Sequence, residues 1–275
     1  MIESLGIVIV ASAVGSSACK VVSCASAVAP SNIIPPDPTF KPLFVPLVSV
    51  NALIVGLVKV LFVNVCDPVN VNSCGTEFVR WITTYGREGR WLTDVTPYLF
   101  MLDDNDFRQF RYGGANRGSL TISFLLSNWG ESDIASDGEF AFSGGQFDGT
   151  YNDESKYNRQ YNFTVPSGTS RVEIVATITG HGFGQDSQNC AEFCNHEHHY
   201  SMNGFSAAEL HPIADQNDGC KQLVGEGVVA NQYGTWPYGR AGWCPGQDVK
   251  QWRYDISSWL DMTGSTINNL QYQGN

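Results

Sequence analysis

The chain has 275 residues, of which 43% are hydrophobic, so it is long enough to build two domains with cores of their own. Its 27 acidic residues outnumber the 16 basic ones and give a formal net charge of -11, which excludes nucleic acid and anionic membranes as default partners. Glycine is frequent at 28 residues, 12% of the residues are aromatic, and long helix-period stretches are missing. This composition predicts an all-β protein.

The first 47 residues combine an apolar run with a proline-rich segment. Leu5–Val14 is apolar, and residues 25–27 are small enough for a signal-peptidase site, although the leading charge is Glu3 rather than a basic residue. Residues 30–46 carry six prolines, which is typical of an extended linker or wrapping arm. We therefore expect residues 1–47 to be a signal-like segment followed by an arm, and the protein to be secreted.

Residues 48–65 are rich in Val, Leu and Ile. Asn51, Lys59 and Asn64 interrupt this run, and its length is marginal for crossing a bilayer. The β-branched residues favour one or two buried strands over a membrane helix. No membrane span is therefore predicted.

From Phe78 onward, short strand candidates alternate with turn signals such as Asn203-Gly204. Regular spacing of this kind is typical of a sandwich or jelly roll. One helical turn is predicted near Ser206–His211, because Ser206 could cap the run that follows it. The predicted strands are Phe78–Thr83, Leu120–Leu126, Glu139–Phe142, Gln160–Val165, Arg171–Thr177, His198–Met202 and Gln251–Ile256.

The eight cysteines fall into pairs by their spacing. In an acidic, β-rich chain this pattern favours disulfides formed in an oxidising compartment, although a C-x3-C spacing near histidines could also bind a metal. The sequon at Asn162 is a candidate N-glycosylation site and is compatible with secretion. The predicted pairs are Cys19 with Cys24, Cys66 with Cys74, Cys190 with Cys194 and Cys220 with Cys244.

Residues 180–246 hold all five histidines and four of the eight cysteines. They include the strings NCAEFC at 189–194 and GTWPYGRAGWCPG at 234–246, and the string TGHG at 179–182 overlaps their start. Polar, sulfur and aromatic side chains among glycines indicate a surface site on cross-linked loops rather than a packed core. We expect the chemistry or recognition of this protein to lie there.

The histidines offer a candidate metal site. In a strand through this region, His196 and His198 fall on one face and His199 on the other. An H-x-H pair on one face is a common ligand for copper or zinc, and His181 or Met202 could complete the site. The alternative, which we favour, is that His196 and His199 are solvated and that the protein has no cofactor.

Four motifs resemble the peptide-N-glycosidase F family and occur in the same order. They are EFVRWITTYG at 77–86, WLTDVTPY at 91–98, and the strings at 189–194 and 234–246. The resemblance runs from about residue 63 to about residue 256. It implies two tandem eight-stranded antiparallel jelly rolls packed side by side, an architecture shared with copper-dependent peptidylglycine hydroxylating monooxygenases.

The resemblance also implies a domain division. The apolar, proline-rich arm covers 1–47, a first jelly roll covers 48–133, and a second jelly roll with the Cys-, His- and Trp-rich loops covers 134–275. The seam between the two jelly rolls is expected near residues 130–137. The first jelly roll could be incomplete, since the residues before Val63 match the family poorly.

Enzymes of this family cut the amide between an asparagine side chain and the first sugar of an N-linked glycan, in a cleft between the two jelly rolls. The resemblance implies that Glu192 matches a supporting catalytic glutamate and that Arg240 and Trp243 line the glycan cleft. Trp236, flanked by Thr and Pro next to a glycine, could stack on a sugar ring or fill a gap between sheets. The structural alternatives are an internal Glu192–Arg240 ion pair and packing of Trp243 against the Cys244 bridge.

The family's water-activating aspartate is missing. It stands in a Trp-Asp-Arg motif, which this sequence lacks, and residues 50–59 read VNALIVGLVK at the expected place. A second glutamate, expected just after Tyr112, is replaced by Gly113-Gly114-Ala115. Loss of a general base alone costs about 10²- to 10⁴-fold in rate. Asp67 could substitute if its loop enters the cleft.

The sequence therefore predicts a secreted, glycan-facing relative that lacks the catalytic aspartate and acts as an extracellular binding or structural protein. Its partner would be an N-glycan or glycoprotein. The apolar arm could add a strand to a neighbouring copy and build a filament.

Two further hypotheses remain open. The first is an active amidase whose base has moved to Asp67, Glu131 or Asp133. The second is a copper-dependent monooxygenase-like protein with a single metal, for which the ligands would be His181, His196 and His198.

Overall fold

The structure, a computed structural model, describes the chain as a set of antiparallel strands. The described residues are 5–13, 45–54, 60–66, 74–84, 87–102, 109–113, 118–127, 135–142, 158–181, 189–230 and 234–274. The strands are β1 (Leu5–Ala13), β2 (Val45–Ile54), β3 (Val60–Cys66), β4 (Cys74–Ile82), β5 (Glu88–Asp94), β6 (Gln109–Gly113), β7 (Gly118–Ser127), β8 (Asp137–Phe142), β9 (Asn158–Phe163), β10 (Thr169–Ile178), β11 (Glu197–Met202), β12 (Phe205–Leu210), β13 (Trp252–Asp255) and β14 (Asn268–Gly274).

Helical structure among the described residues is short. Helix α1 covers Cys190–Phe193, and 3-10 turns cover Thr96–Leu102, Lys221–Glu226 and Ser257–Trp259. None of these segments has the length and hydropathy of a helix that spans a bilayer. The all-β prediction is therefore confirmed.

Two four-stranded sheets form a sandwich. Their strand orders are β13-β10-β1-β8 and β12-β11-β14-β9. Apolar side chains from both sheets are buried between them and form the main described core. Its largest members are Phe142, Phe163, Ile174, Ile178, Tyr200, Met202, Ile256, Trp259, Leu270 and Tyr272.

Two three-stranded sheets face each other in the other half of the fold. Their orders are β5-β2-β7 and β4-β3-β6. The Trp81 indole on β4 stacks on Trp91 of β5 with ring centroids 6.2 Å apart, and Trp81 Nε1 donates to Thr93 Oγ1 at 2.8 Å. Exposed and buried residues alternate along β5, as expected for a strand with one face in a core.

The predicted helical turn at Ser206–His211 is wrong, because these residues belong largely to strand β12. Asn203 and Gly204 have φ values of 53° and 82°, so both occupy the left-handed region that a tight two-residue hairpin requires. Met202 and Phe205 pair on either side of this turn. The hairpin aligns Ala207 and Ala208 with β11, and cross-strand bonding overrides their helix propensity.

Strand β1 places the apolar run near the start of the sequence inside one of the two four-stranded sheets. It pairs antiparallel with β10, from Leu5 opposite Ile178 to Ala13 opposite Thr169, and on its other edge with β8. It is therefore an interior strand. A cleaved signal segment and an interior strand are mutually exclusive uses of the same residues. Most of the proline-rich arm lies outside the described residues.

The two halves of the fold meet where β4 and β5 contact the segment 241–248. Ile82 N donates to Gln247 O at 3.0 Å, and Trp91 Nε1 donates to Gly246 O at 3.0 Å. These bonds place the sequence string at 234–246 beside the seam. Much of the predicted seam at 130–137 lies outside the described residues, and the domain boundaries remain predictions.

Candidate functional site

The three strings singled out in the sequence come together in space. Gly180 N donates to Ala241 O at 2.9 Å, and Ala241 N donates to Glu192 O at 3.0 Å. Trp243 Nε1 donates to Gly180 O at 2.6 Å. These bonds join the residues around 180, 192 and 241 into one loop cluster, which we call the triple-loop site.

Two disulfides hold the triple-loop site. Cys190 and Cys194 close the single turn of α1 with Cα atoms 4.5 Å apart, and Cys220 and Cys244 are joined with Cα atoms 5.6 Å apart. Both predicted pairings are confirmed.

The structure does not test the other two predicted disulfides. Cys66 and Cys74 lie opposite each other in the β3–β4 register, but their side chains lie outside the described part of the structure, so the bond remains a prediction. Cys19 and Cys24 lie outside the described residues altogether.

A buried ion pair forms the centre of the site. Glu192 is 1% exposed and Arg240 is fully buried, and Arg240 Nε donates to Glu192 Oε1 at 3.0 Å. Arg240 also donates to two backbone carbonyls, from Nη1 to Tyr238 O and from Nη2 to Thr235 O, each at 2.9 Å. The forked head of Arg240 therefore ties the 235–240 loop to helix α1.

Two aromatic rings enclose the same guanidinium. Its central carbon lies 5.0 Å from the Phe193 ring centroid and 4.7 Å from the Trp243 ring, distances typical of cation–π contacts. Trp243 is itself buried at 3% exposure and also contacts the His181 ring, with centroids 4.7 Å apart. Trp236 is half-buried, while the Tyr238 ring is 41% exposed. The surface of the site is thus formed by Trp236 and Tyr238 over a buried Arg240.

A second ion pair lies at the seam. Arg80 is 3% exposed, and its Nε and Nη2 donate to the two carboxylate oxygens of Glu77, each at 2.6 Å. Arg80 Nη1 also donates to Thr179 Oγ1 at 2.5 Å, which connects β4 to the triple-loop site. This bidentate pair fixes the orientation of both side chains.

The Glu77–Arg80 pair is not predicted by the sequence pattern. Residues three apart in a regular strand point to opposite faces. In the β3–β4 ladder, however, Val79 pairs with Val63 and Glu77 pairs with Asn64, so Phe78 is an extra residue that makes a bulge. A bulge brings flanking side chains onto one face, and its position has no clear sequence signal here.

The carboxyl-terminal part of the chain is similar to a known family. Residues 150–273 match the family model described as Peptide-N-glycosidase F, C terminal. The peptide-N(4)-(N-acetyl-beta-D-glucosaminyl)asparagine amidase F of Elizabethkingia miricola is 30% identical over 115 residues, which are 38% of this chain and 29% of that protein. The chain therefore resembles the peptide-N-glycosidase F family over its carboxyl-terminal part. The match spans less than a third of the relative's length.

Solved structures support the fold. The structure of PNGase F, a glycosylasparaginase from Flavobacterium meningosepticum, superposes with a TM-score of 0.56 at 18% identity, over 85% of this chain and 78% of that one. A crystal structure of peptide-N(4)-(N-acetyl-beta-D-glucosaminyl) asparagine amidase gives a TM-score of 0.58 with the same identity and coverage. At this level of identity the likeness concerns the fold, and it confirms the β-sandwich architecture of the peptide-N-glycosidase F family.

Some of the predicted site residues lie together in the structure, and others lie outside the described residues. Glu192, Arg240, Trp243 and Trp236 are brought together, as predicted. Their roles in catalysis or glycan binding remain predictions. The alternative bases lie outside the described residues and are Asp67, Glu131 and Asp133.

Asp248 is a further carboxylate near the site, and no motif in the sequence indicates it. It follows the 234–246 string, and its backbone forms a bridge with Trp81, the neighbour of Arg80. It is partly buried, and burial raises the pKa of its carboxyl above the usual value. A position beside the seam and a raised pKa are both properties expected of a general base.

The histidines divide into two environments. His196 and His198 are buried at 4% and 8% exposure, while the His199 side chain is 38% exposed. The prediction of a solvated His196 is therefore wrong, because its Nε2 donates to Cys190 O at 2.7 Å under the site loop. His181 instead contacts Trp243. Within the described ranges, no three His, Cys, Asp or Glu side chains are placed to share a metal ion.

A cluster of buried polar groups lies behind the triple-loop site. The rings of His198 and His211 have centroids 5.3 Å apart, and Glu209 pairs with His198 across the β11–β12 ladder. Burial lowers the pKa of His198 well below its usual value and that of His211 to about 4, and burial raises the pKa of Glu209 to about 8. At neutral pH these groups are therefore predominantly uncharged.

Asn162, the predicted glycosylation site, lies on strand β9 and is exposed. Its Oδ1 accepts a hydrogen bond from Asn269 Nδ2 at 2.6 Å. An exposed sequon meets the accessibility that glycosylation requires, and the modification itself remains a prediction.

The 235–240 loop passes too close to the backbone of Ile213 to accept a side chain at Gly239. A Cβ there would overlap the Ile213 carbonyl oxygen and carbon. Gly239→Ala should therefore destabilise the protein by about 3 kcal/mol or more, measured by urea unfolding. Gly225→Ala is the matched control, since no described atom lies within 4 Å of its added Cβ. Equal midpoints for the two variants would contradict the close approach.

Proposed function

We propose that this protein is an extracellular member of the peptide-N-glycosidase F family that faces N-linked glycans without cleaving them. Two features support the proposal. The sequence lacks the Trp-Asp-Arg motif, and Glu192 is bound in a buried ion pair. The glycan-facing surface is the triple-loop site, at the seam between the two halves of the fold.

The observation that carries the proposal is the burial of Glu192. A carboxylate that activates water must reach that water and have an oxygen free to accept its proton. Glu192 is 1% exposed and accepts from Arg240 Nε, while both carboxylate oxygens of Glu77 at the seam accept from Arg80. Both glutamates therefore serve to fix loops, which is a structural use of residues in a site inherited from hydrolases.

The exposed part of the site suits a sugar. Tyr238 has 41% of its surface exposed and lies beside the half-buried Trp236. Aromatic rings offer an apolar face to the C–H groups of a sugar and a polar edge to its hydroxyls. The Phe193 ring meets Tyr238 edge-on at 6.2 Å, which holds the tyrosine in place from beneath.

The disulfides support an extracellular location. Cys190–Cys194 and Cys220–Cys244 both lie in the triple-loop site. Disulfides of this kind form and persist in oxidising compartments. This chemistry supports secretion, which is part of the proposal.

Glycan binding without turnover is the expected result of a two-part experiment. The intact protein is incubated with a denatured N-glycoprotein, and conversion of asparagine to aspartate is followed by mass spectrometry, while binding to immobilised N-glycan is measured by interferometry. We expect binding, no conversion, and at least a tenfold loss of affinity in Trp236→Ala or Tyr238→Ala, since buried aromatic contacts often contribute more than 1 kcal/mol.

Tyr254→Ala is the control for this experiment, because Tyr254 is 37% exposed on β13, away from the 235–240 loop. An equal loss of affinity in Tyr254→Ala would overturn the assignment of the binding surface. Conversion of asparagine to aspartate by the wild-type protein would overturn the loss of activity.

Amide hydrolysis is the second candidate function, and Asp248 favours it. Its backbone pairs with Trp81 at the seam and burial raises the pKa of its carboxyl, which suits a base that has moved from its family position. If the wild-type protein releases glycans, Asp248→Asn should abolish release, whereas Asp218→Asn, at an exposed position, should not. If Asp248→Asn releases glycans at the wild-type rate, Asp248 is not the base, and Asp67, Glu131 and Asp133 are the remaining candidates.

A further inference from the structure

Strand β1 is an interior strand supplied from far away in the sequence. Its neighbours β8 and β10 begin at Asp137 and Thr169, whereas β1 ends at Ala13. It forms ladders on both edges, with Ile9 opposite Ile174 in β10 and opposite Glu139 in β8. The sheet that carries much of the main core is therefore complete only when this segment is in place.

Without β1, the sheet would have an open slot. The facing edges of β8 and β10 would each present unpaired backbone N–H and C=O groups, and such edges recruit another strand. The β10 side chains that face the main core beside the slot, Val172, Ile174 and Ala176, are apolar and almost fully buried. A strand that fills the slot therefore needs apolar residues toward the core, and Leu5–Ala13 has the sequence LGIVIVASA.

The chain between β1 and β2 is long enough to reach another molecule. Residues 14–44 separate the two strands, and a polypeptide of that length spans up to about 100 Å when extended. Backbone pairing is identical whether the strand comes from the same chain or from a second copy. Whether β1 fills the slot of its own chain or that of a second copy then depends on the protein concentration during folding.

We propose that β1 is exchanged between copies of this chain, so that the Leu5–Ala13 strand of one molecule fills the β8–β10 slot of another. A molecule that fills the slot of another must be a second copy of this chain, because the register, including the irregularity between Ile7 and Val8 on the β8 side, matches this segment. Reciprocal exchange gives a closed dimer, and one-way exchange gives an open chain. The inference does not rest on the glycan-facing proposal.

Cysteines placed across the β1–β10 ladder test the exchange. Ala11 and Val172 are direct partners, so Ala11→Cys in one chain and Val172→Cys in another form an intermolecular bond only when β1 has crossed over. The two single variants are unfolded together, refolded at high protein concentration, and oxidised. Peptide mapping then searches for the 11–172 cross-link in a species of twice the chain mass, and light scattering measures the size of unmodified wild type.

We expect the 11–172 cross-link in the mixed sample and a dimer fraction of wild type that grows with refolding concentration. Ser167→Cys, on an exposed turn outside the ladder, replaces Val172→Cys in the control and should give at least tenfold less cross-link to position 11. The double variant Ala11→Cys/Val172→Cys, refolded dilute, reports whether the pair itself forms. The proposal would be overturned by three results together. The double variant forms the intramolecular bond, the mixed sample contains no intermolecular 11–172 peptide, and wild type is a monomer at every concentration.

Discussion

Replacing Arg240 with methionine should lower the free energy of unfolding by about 3–5 kcal/mol, because removing one partner leaves the other charge buried and uncompensated. Glu192 would keep its carboxylate at 1% exposure without its bond from Arg240 Nε. The carbonyl oxygens of Thr235 and Tyr238 would also lose their donors. Urea unfolding followed by tryptophan fluorescence measures the change, since Trp243 packs on the guanidinium.

Two comparisons make this result specific. The double variant Arg240→Met/Glu192→Leu should recover part of the loss, because it leaves no unpaired charge. Lys250→Met removes an exposed pair with Glu226, whose side chains are 76% and 54% exposed, and should change stability by less than about 1 kcal/mol. If Arg240→Met and Lys250→Met had the same effect, the buried pair would not hold the loops.

Glu209→Gln should stabilise the protein at alkaline pH relative to wild type. Burial raises the Glu209 pKa from 4.5 to about 8, so the folded protein binds a proton that the unfolded chain releases between these values. The wild type therefore loses stability as pH rises from 4.5 to 8. A tenfold change in a protonation equilibrium is about 1.4 kcal/mol, so the advantage of the variant should reach several kcal/mol above pH 8.

The comparison is made by urea unfolding at pH 5 and pH 9. Any fixed cost of the amide group is the same at both values and cancels in the difference. His211, whose pKa burial lowers to about 4, acts in the opposite direction, since it reduces stability as pH falls from 6.5 toward 4. It is present in both proteins and cancels as well. An advantage that is equal at pH 5 and pH 9 would mean that Glu209 is ionised in the folded protein.

Strands with strict alternation and tight turns could be predicted from the sequence. Arg171–Thr177 lies within β10 and Phe78–Thr83 overlaps β4, because β-branched and aromatic residues recur there between turn residues. Ser206–His211 could not, because Ala, Glu and Leu favour a helix locally and only pairing with β11 makes them a strand. The place of β1 between β8 and β10 depends on contacts more than 100 residues apart, which no local pattern encodes.

The parts of the site that depend on the spacing of cysteines and on sequence motifs could be predicted. The cysteine intervals gave two pairings that the structure contains, and the family motifs located Glu192 beside Arg240. The Glu77–Arg80 pair could not be predicted, because it depends on a bulge at Phe78. The burial of His196 could not be predicted either, since it depends on the Cys190 carbonyl in the loop above it.

The interior position of β1 also sets the order in which the protein can be completed during synthesis. Leu5 pairs with Ile178, so the earliest strand of the printed sequence waits until its partner has left the ribosome. Contacts of such high sequence separation slow folding and prolong the exposure of apolar segments. A nascent chain carrying LGIVIVASA is therefore expected to depend on chaperones until β8 and β10 have emerged.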